Sequence, residues 1–292
     1  MLNIDEFKIF AKKCINLDCP NIYGMQLIHH MCRINNLELV KNLVENGADV
    51  NCTNNLGECP IHWACRKGDE VLEIVKFLIA NGANVNCTNN AGRHPIHEAC
   101  RKGDESLELV KYLVENGANV NCVDDDGWRP IHDACWEGDR ALKLVKFLIA
   151  SGADVNCTNN WGSYPIHYAC EGDGEALELV KFLIANCANV NCVDDRERRP
   201  IHLACQKGDK ALELVKFLVA NGADVNCADN GGWRPIHKAC EQGDKSLELV
   251  KFLVGSGADV NCADKWGKYP IHIAPNGRSL ELVKFLEAHG AT

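Results

Sequence analysis

The triplet Pro-Ile-His begins at Pro60, Pro95, Pro130, Pro165, Pro200, Pro235 and Pro270, an unbroken period of 35 residues. A strict period of this size means stacked supersecondary units and excludes a single globule around one central core. The phase extends toward the N-terminus, where Ile28-His29 stands 33 residues before Ile61-His62 and Gly24 stands 33 before Gly57. Ile4 to Cys14 reads as the second half of one more unit.

The stretch from Cys52 to Asn86 serves as the type unit. Asn54-Asn55-Leu56-Gly57 is turn chemistry, with Asn and Gly supplying the positive backbone angles of a tight hairpin. Pro60 suits the first turn of a helix, where its missing N–H costs nothing. Ile61, Ala64 and Cys65 share one face of that short helix, and Gly68 ends it. Asp69 is placed to cap a second helix, in which Leu72, Val75, Leu78 and Ile79 follow the spacing of a buried stripe. Glu73 and Lys76 lie on its opposite face, and Asn81-Gly82 closes it.

A hairpin followed by two antiparallel helices carrying Pro-Ile-His-x-Ala resembles the ankyrin repeat and its Thr-Pro-Leu-His-x-Ala signature. The resemblance runs from Ile4 to Ala291. It implies a mainly α solenoid, each unit a β-hairpin or loop plus two antiparallel helices. The expected organisation is one domain over 1–292, with a partial unit at 1–18 and full units at 19–51, 52–86, 87–121, 122–156, 157–191, 192–226 and 227–261. A capping unit at 262–292 completes it.

Three departures from the family stand out. His and Val are 11 residues apart in the first and last units (His29 to Val40, His272 to Val283) but 13 apart internally, as from His62 to Val75. The two extra residues near Gly68-Asp69-Glu70-Val71 lengthen either the loop or the second helix. The family's Thr before Pro is replaced by Cys59, His94, Arg129, Tyr164, Arg199, Arg234 and Tyr269, each exchange giving up roughly 1 kcal/mol of capping. Asp173, Cys187 and Glu197 stand where the type unit has glycine; a left-handed non-glycine residue costs about 1–2 kcal/mol, so residues 170–200 are expected to be the softest part.

Asp and Glu total 40 against 31 Lys and Arg, a formal charge of −9 that repels a phosphate backbone, so nucleic acid is not the expected partner. Lys8, Lys12 and Lys13 interrupt the N-terminal segment, and no apolar run is long enough to span a membrane. The 18 cysteines are spread evenly with no export signal, which points to a reducing, cytoplasmic setting and a monomeric chain. Most fall into two ladders, one containing Cys52 and Cys87, the other Cys65 and Cys100; Cys14, Cys59 and Cys187 stand outside them. Neighbouring rungs of one ladder should lie too far apart for a disulfide.

One His and one Cys per turn, as in His62-x-x-Cys65, supply two ligands where a structural zinc site needs four, so no metal or cofactor is expected. The resemblance assigns that His a structural hydrogen bond with the hairpin. Phosphate loops and nucleophile elbows are absent, so no enzyme is expected. A thiol-rich metal-binding or redox-responsive protein is the alternative. Glu287 and Pro275 in the last unit read as capping changes, placing the end of the array near Thr292.

The resemblance implies a scaffold that holds another protein on a concave surface of hairpin tips and first helices. The tryptophans fall there: Trp63 and Trp136 on first helices, Trp128, Trp161, Trp233 and Trp266 on hairpins. Tyr164, Tyr168 and Tyr269 join them, interleaved with Arg93, Arg129, Arg196, Arg198, Arg199 and Arg234. Trp, Tyr and Arg dominate binding hot spots. The expected partner is therefore a protein with an acidic or aromatic-rich surface.

Overall fold

The computed structural model describes residues 19–172, 175–274 and 280–291. Every repeat contributes two short helices. The first opens on the triplet, as in Pro60–Cys65, Pro95–Cys100, Pro130–Trp136, Pro165–Glu171, Pro200–Cys205, Pro235–Cys240 and Pro270–Ile273, with Leu27–Arg33 preceding them. The second is nine residues long, from Leu37–Glu45 and Leu72–Ala80 to Leu280–Ala288.

The residue before Pro makes no side-chain cap at Cys59, His94, Tyr164, Arg199, Arg234 or Tyr269. The triplet's own His takes over part of that work. Its Nδ1 accepts the N–H of the residue before Pro, at 3.1 Å for Cys59 to His62 and 3.0 Å for His94 to His97. An otherwise orphaned helix-start amide is thereby satisfied, which offsets part of the loss expected from the missing Thr.

The second helix buries Ile74, Val75 and Leu78, all 0–1% exposed, whereas Leu72 and Ile79 are only partly covered. The apolar stripe is thus rotated from the expected one toward Ile74. Ile61, Ala64 and Cys65 meet it from the first helix, each fully buried. Burying a Val, Leu or Ile side chain contributes about 1.5–3 kcal/mol, so this packing dominates the stability of each repeat.

The two inserted residues belong to neither helix. They form a 3₁₀ turn between them, at Gly68–Val71, Gly103–Ser106, Gly138–Ala141, Gly208–Ala211 and Gly243–Ser246. Gly68 is required there, because its φ is +74° and a Cβ would sit 2.6 Å from the Glu105 carbonyl oxygen. Asp69 does not cap its own second helix. Its carboxylate accepts the N–H of Leu109 (2.7 Å) and of Glu108 (3.3 Å), so it caps the second helix of the next repeat. Asp104 to Leu144, Asp139 to Leu179, Asp209 to Leu249 and Asp244 to Leu282 repeat the arrangement at 2.7–3.0 Å.

A second tie joins the turns that follow the second helices. Asn51 donates from Nδ2 to the Gly82 carbonyl and accepts the Asn84 N–H, both at 2.8 Å. Asn86 to Gly117, Asn191 to Gly222 and Asn226 to Gly257 make the same donation at 2.8 Å.

The expected β-hairpin is present as a turn without strands, and among the described residues there is no strand at all. Asn54 Oδ1 accepts the amides of Leu56 and Glu58, both at 2.9 Å, closing the turn through a side chain. Two backbone bonds within it, Asn54 to Glu58 and Gly57 to Asn54, and one from the next repeat, Asn90 to Leu56, do not build a ladder.

Cys187 and Glu197 adopt positive φ, 69° and 58°, at the positions where other repeats use glycine. Glu287 is exposed on the last helix. Lys8, Lys12, Lys13, Cys14, Asp173, Pro275 and Thr292 lie outside the described residues. By contacts the chain divides into two compact units, Met1–Ala134 with Ala141–Asp154, and Cys135–Arg140 with Val155–Thr292.

Candidate functional site

In the N-terminal unit the polar residues of turns and first helices satisfy one another. Arg66 pairs with Glu58 and, at 3.0 Å, with Glu98. Arg93 reaches Glu98 at 3.2 Å, Asp124 at 3.0 Å and Asp133 at 2.9 Å, linking successive repeats into one ion network. All four carboxylates are buried, with side chains 4–6% exposed. Burial pushes the Glu98 carboxyl up, but Arg66 and Arg93 outweigh it and hold it below its usual range. At Asp133, which pairs with Arg93, desolvation outweighs the pull of Arg93 and Arg101 and lifts the carboxyl to about 7. Arg93 itself moves up, because three carboxylates favour its charge over the cost of burial.

Arg93 therefore lies inside the fold's own network, only 18% exposed. Trp63 is half-buried with the Arg66 guanidinium 4.7 Å over its ring, and Trp128 packs edge-on against His132 with ring centroids 6.0 Å apart. Arg129 faces Asp154 at 3.8 Å.

The C-terminal unit presents its rings instead. Trp136, Trp161 and Trp266 are 38%, 49% and 71% exposed. Trp161, Ser163, Tyr168, Glu171, Asp194, Asp195, Arg196 and Arg198 line a surface cleft. Tyr168 is buried beneath it, its hydroxyl accepting from Asn159 Nδ2 at 2.6 Å and its ring 5.9 Å from that of Trp136. Arg198 is fixed by Asp194 at 2.7 Å and approaches Glu171 at 4.0 Å. Trp233 is half-buried under Lys238 Nζ at 4.3 Å. Tyr164, Arg199, Arg234 and Tyr269 are half-buried beside the helix starts, and Arg234 meets Asp259 at 3.5 Å.

The sequence reading did not single out Glu58, Glu98, Asp124, Asp133, Glu171 or Asp194. The signal available was the repeat register, which puts opposite charges at neighbouring positions: Glu58 and Arg93 share one turn position, while Trp63, Glu98 and Asp133 share one first-helix position.

The repeated histidines are structural ties between repeats. His62 Nε2 donates to the Arg93 carbonyl at 3.0 Å, His97 to Trp128 at 3.1 Å, His167 to Arg198 at 3.1 Å and His202 to Trp233 at 3.1 Å. A ring that accepts at Nδ1 and donates at Nε2 is neutral. Burial accordingly lowers His29, His167 and His237, and takes His97 to about 3 and His202 to about 4.

The ladder thiols are mostly inert, for burial pushes Cys32, Cys65, Cys100, Cys135, Cys170, Cys205 and Cys240 up. Cys59 moves the other way, because the Cys87 thiol hydrogen-bonds to it and His62 adds to that, against the opposing effect of burial. The count of two ligands per repeat is exceeded here. Cys59, His62 and Cys87 place their ligand atoms within 4.8 Å of one another, as do His94, His97 and Cys122.

The model of the ankyrin-repeat family matches residues 3–89, 69–159, 132–229, 166–264 and 236–292, and the chain belongs to that family. Ankyrin repeats generally mediate protein–protein interaction, and the family is typically a non-enzymatic scaffold. No curated protein sequence matches the chain closely enough to count as a relative. Among the described residues no helix is long and apolar enough to cross a membrane.

Proposed function

We propose that the chain is a scaffold that holds a partner protein on the exposed aromatic side chains of its C-terminal unit. The observation that carries this reading is the exposure of Trp136 on a first helix and of Trp161 and Trp266 at the turn tips, when Trp128 and Trp233, two residues further along the turn, are half-covered by their own repeats. Large rings left in water beside a cleft gain most from being covered by a partner. Trp161 offers the apolar wall of that cleft, and Arg196 and Arg198 offer cations to an acidic or aromatic-rich partner segment. Tyr168 and Arg198 hold that surface in place from beneath, and Tyr164, Arg199, Trp233, Arg234 and Tyr269 form its rim, while Trp63, Arg93, Trp128 and Arg129 belong to the N-terminal unit. The described cysteines are free thiols, which fits a cytoplasmic setting.

The test begins with the partner recovered from the source cell, purified and titrated against the chain. Trp161→Ala weakens binding by about 2 kcal/mol, the hot-spot scale, with the unfolding midpoint unchanged. Equal affinity for the parent and for Trp136→Ala, Trp161→Ala and Trp266→Ala removes the reading.

A further inference from the structure

The second three-ligand cluster and the protein-binding surface are independent of the feature that carries furthest here, the meeting of Cys59 and Cys87. In the other repeats no cysteine stands before the Pro of the triplet, and the buried thiol of this ladder lies against a histidine, as Cys122 meets His97 at 3.8 Å and Cys192 meets His167 at 3.9 Å. The residue before Pro is Arg129, Tyr164, Arg199, Arg234 or Tyr269 in those further along the chain, none of them a soft ligand. Cys59 alone adds a second sulfur to the pair of His62 and Cys87, all within 4.8 Å. We propose that Cys59 and Cys87 bind one monovalent copper ion between their sulfurs, with the His62 ring as its flanking wall.

The choice of metal follows from the ligands that are free. His62 already accepts the Cys59 N–H at 3.1 Å and donates to the Arg93 carbonyl at 3.0 Å, so both its ring nitrogens are occupied. Zn²⁺ needs four converging ligands, and two sulfurs do not satisfy it. Cu⁺ is a soft d¹⁰ ion selected by thiolates and content with two of them. Two metal–sulfur bonds of about 2.3 Å each span a sulfur separation of up to about 4.6 Å, and the two sulfurs stand within 4.8 Å of each other. Cys59 is 3% exposed and Cys87 only half-buried, so the ion enters past Cys87 and the site's residual negative charge stays near water. Binding expels the protons that the two sulfurs hold; no electron moves.

The experiment uses the full chain with Cys14, Cys19 and Cys187 changed to Ser, which removes the exposed thiols Cys19 and Cys187 and the thiol outside the described residues. Cu⁺, supplied anaerobically as its acetonitrile complex, competes against a chromophoric Cu⁺ chelator, with Zn²⁺ titrated separately. One tight equivalent of Cu⁺ is expected, with the helical circular dichroism unchanged. Cys87→Ser and Cys59→Thr each lower the affinity at least a hundredfold, and Cys65→Ser does not. Thr is the stronger helix cap at position 59, so that variant folds without the ligand. X-ray absorption of the copper-loaded chain shows two sulfur neighbours. Unchanged affinity in Cys59→Thr, tighter binding of Zn²⁺ than of Cu⁺, or loss of helicity before one equivalent binds each overturns the assignment.

Discussion

The two compact units are built on one sequence pattern and put different turn and first-helix positions of it to opposite ends. In the N-terminal unit these positions carry Glu58, Arg93, Glu98, Asp124 and Asp133, which bury their charges against one another. In the C-terminal unit other positions of the same elements, those of Arg66 and Leu56 in the type unit, carry Trp136, Trp161 and Trp266, which remain in water, while Arg198 with Asp194 and Lys238 with Asp229 repeat the ionic theme. The fold tolerates either choice because the helices beneath are packed by Ile, Val, Leu, Ala and Cys regardless. What these turn and helix positions hold is therefore free to vary without loss of the packing beneath.

The comparison breaks most sharply at Arg93. Arg93→Ala leaves buried Asp124 and Asp133 without their paired cation and Glu98 with Arg66 alone, and should destabilise the N-terminal unit by about 3–5 kcal/mol, read by denaturant unfolding and by amide exchange over 52–134. Arg198→Ala uncovers one buried carboxylate and should cost about half as much by the same reasoning. Equal losses would show that the network has no special weight.

Acid separates the units next. His97 and His202 have native values of about 3 and 4, below the ordinary 6.5 of an unfolded chain, so the unfolded state takes up protons first. Their contribution is complete above pH 6.5 and falls as pH drops toward those values, by about 2 kcal/mol for each at pH 5. Asp133 acts in the opposite direction: its native value near 7 lies above its unfolded one, so lowering the pH returns stability to the N-terminal unit. Exchange measured from pH 7 to 5 should show the C-terminal unit loosening first. Simultaneous loosening would remove Asp133 from the account.

A smaller effect concerns backbone strain, carried in the C-terminal unit by Cys187 and Glu197 and in the N-terminal unit by Asn35, a residue type that adopts positive φ more readily. Glycines equivalent to Cys187, such as Gly82 and Gly222, have nothing within 4 Å of an added Cβ, so Cys187 carries only the cost of its positive φ. At Gly57, equivalent to Glu197, a Cβ would meet the Asn90 amide nitrogen at 2.9 Å. Glu197→Gly should therefore stabilise by about 1–2 kcal/mol and Cys187→Gly by about 1, judged by thermal midpoints. Smallest of all, Glu73→Ala should change stability by less than about 0.5 kcal/mol, since its pair with Lys76 is exposed.

The period, the helix starts at Pro, the ladder of His and the left-handed positions at Cys187 and Glu197 were all legible in the sequence, because each is a local rule repeated many times. The rotation of the buried stripe toward Ile74 was less legible, since Leu72 and Ile79 are equally apolar and only the neighbouring repeat decides which of them it covers. Asp69 was misplaced for a related reason: a helix cap is expected within a few residues, and its true partner Leu109 is 40 positions away. The Arg93 network was hidden because Arg on a surface strip and Arg in an ion cluster look alike until the carboxylates facing it are known. Cys59 was noted as a missing Thr, and nothing along the chain announces that Cys87, 28 residues later, comes to meet it.

The cap that Asp69 lends to Leu109 gives the array a direction. Within each unit a repeat completes the helix of its successor and receives nothing comparable in return, so two ends produced by cutting are not equivalent. Removing a repeat from the downstream side leaves an idle carboxylate in water, at little cost. Removing one from the upstream side strips the first turn of the next helix of its acceptor, and that helix frays. A ribosome delivers the chain in the favourable order, since each cap is folded before the helix that needs it has emerged. Shortened arrays should therefore tolerate loss of trailing repeats better than loss of leading ones, and a graft that joins foreign repeats upstream must bring an aspartate at this position.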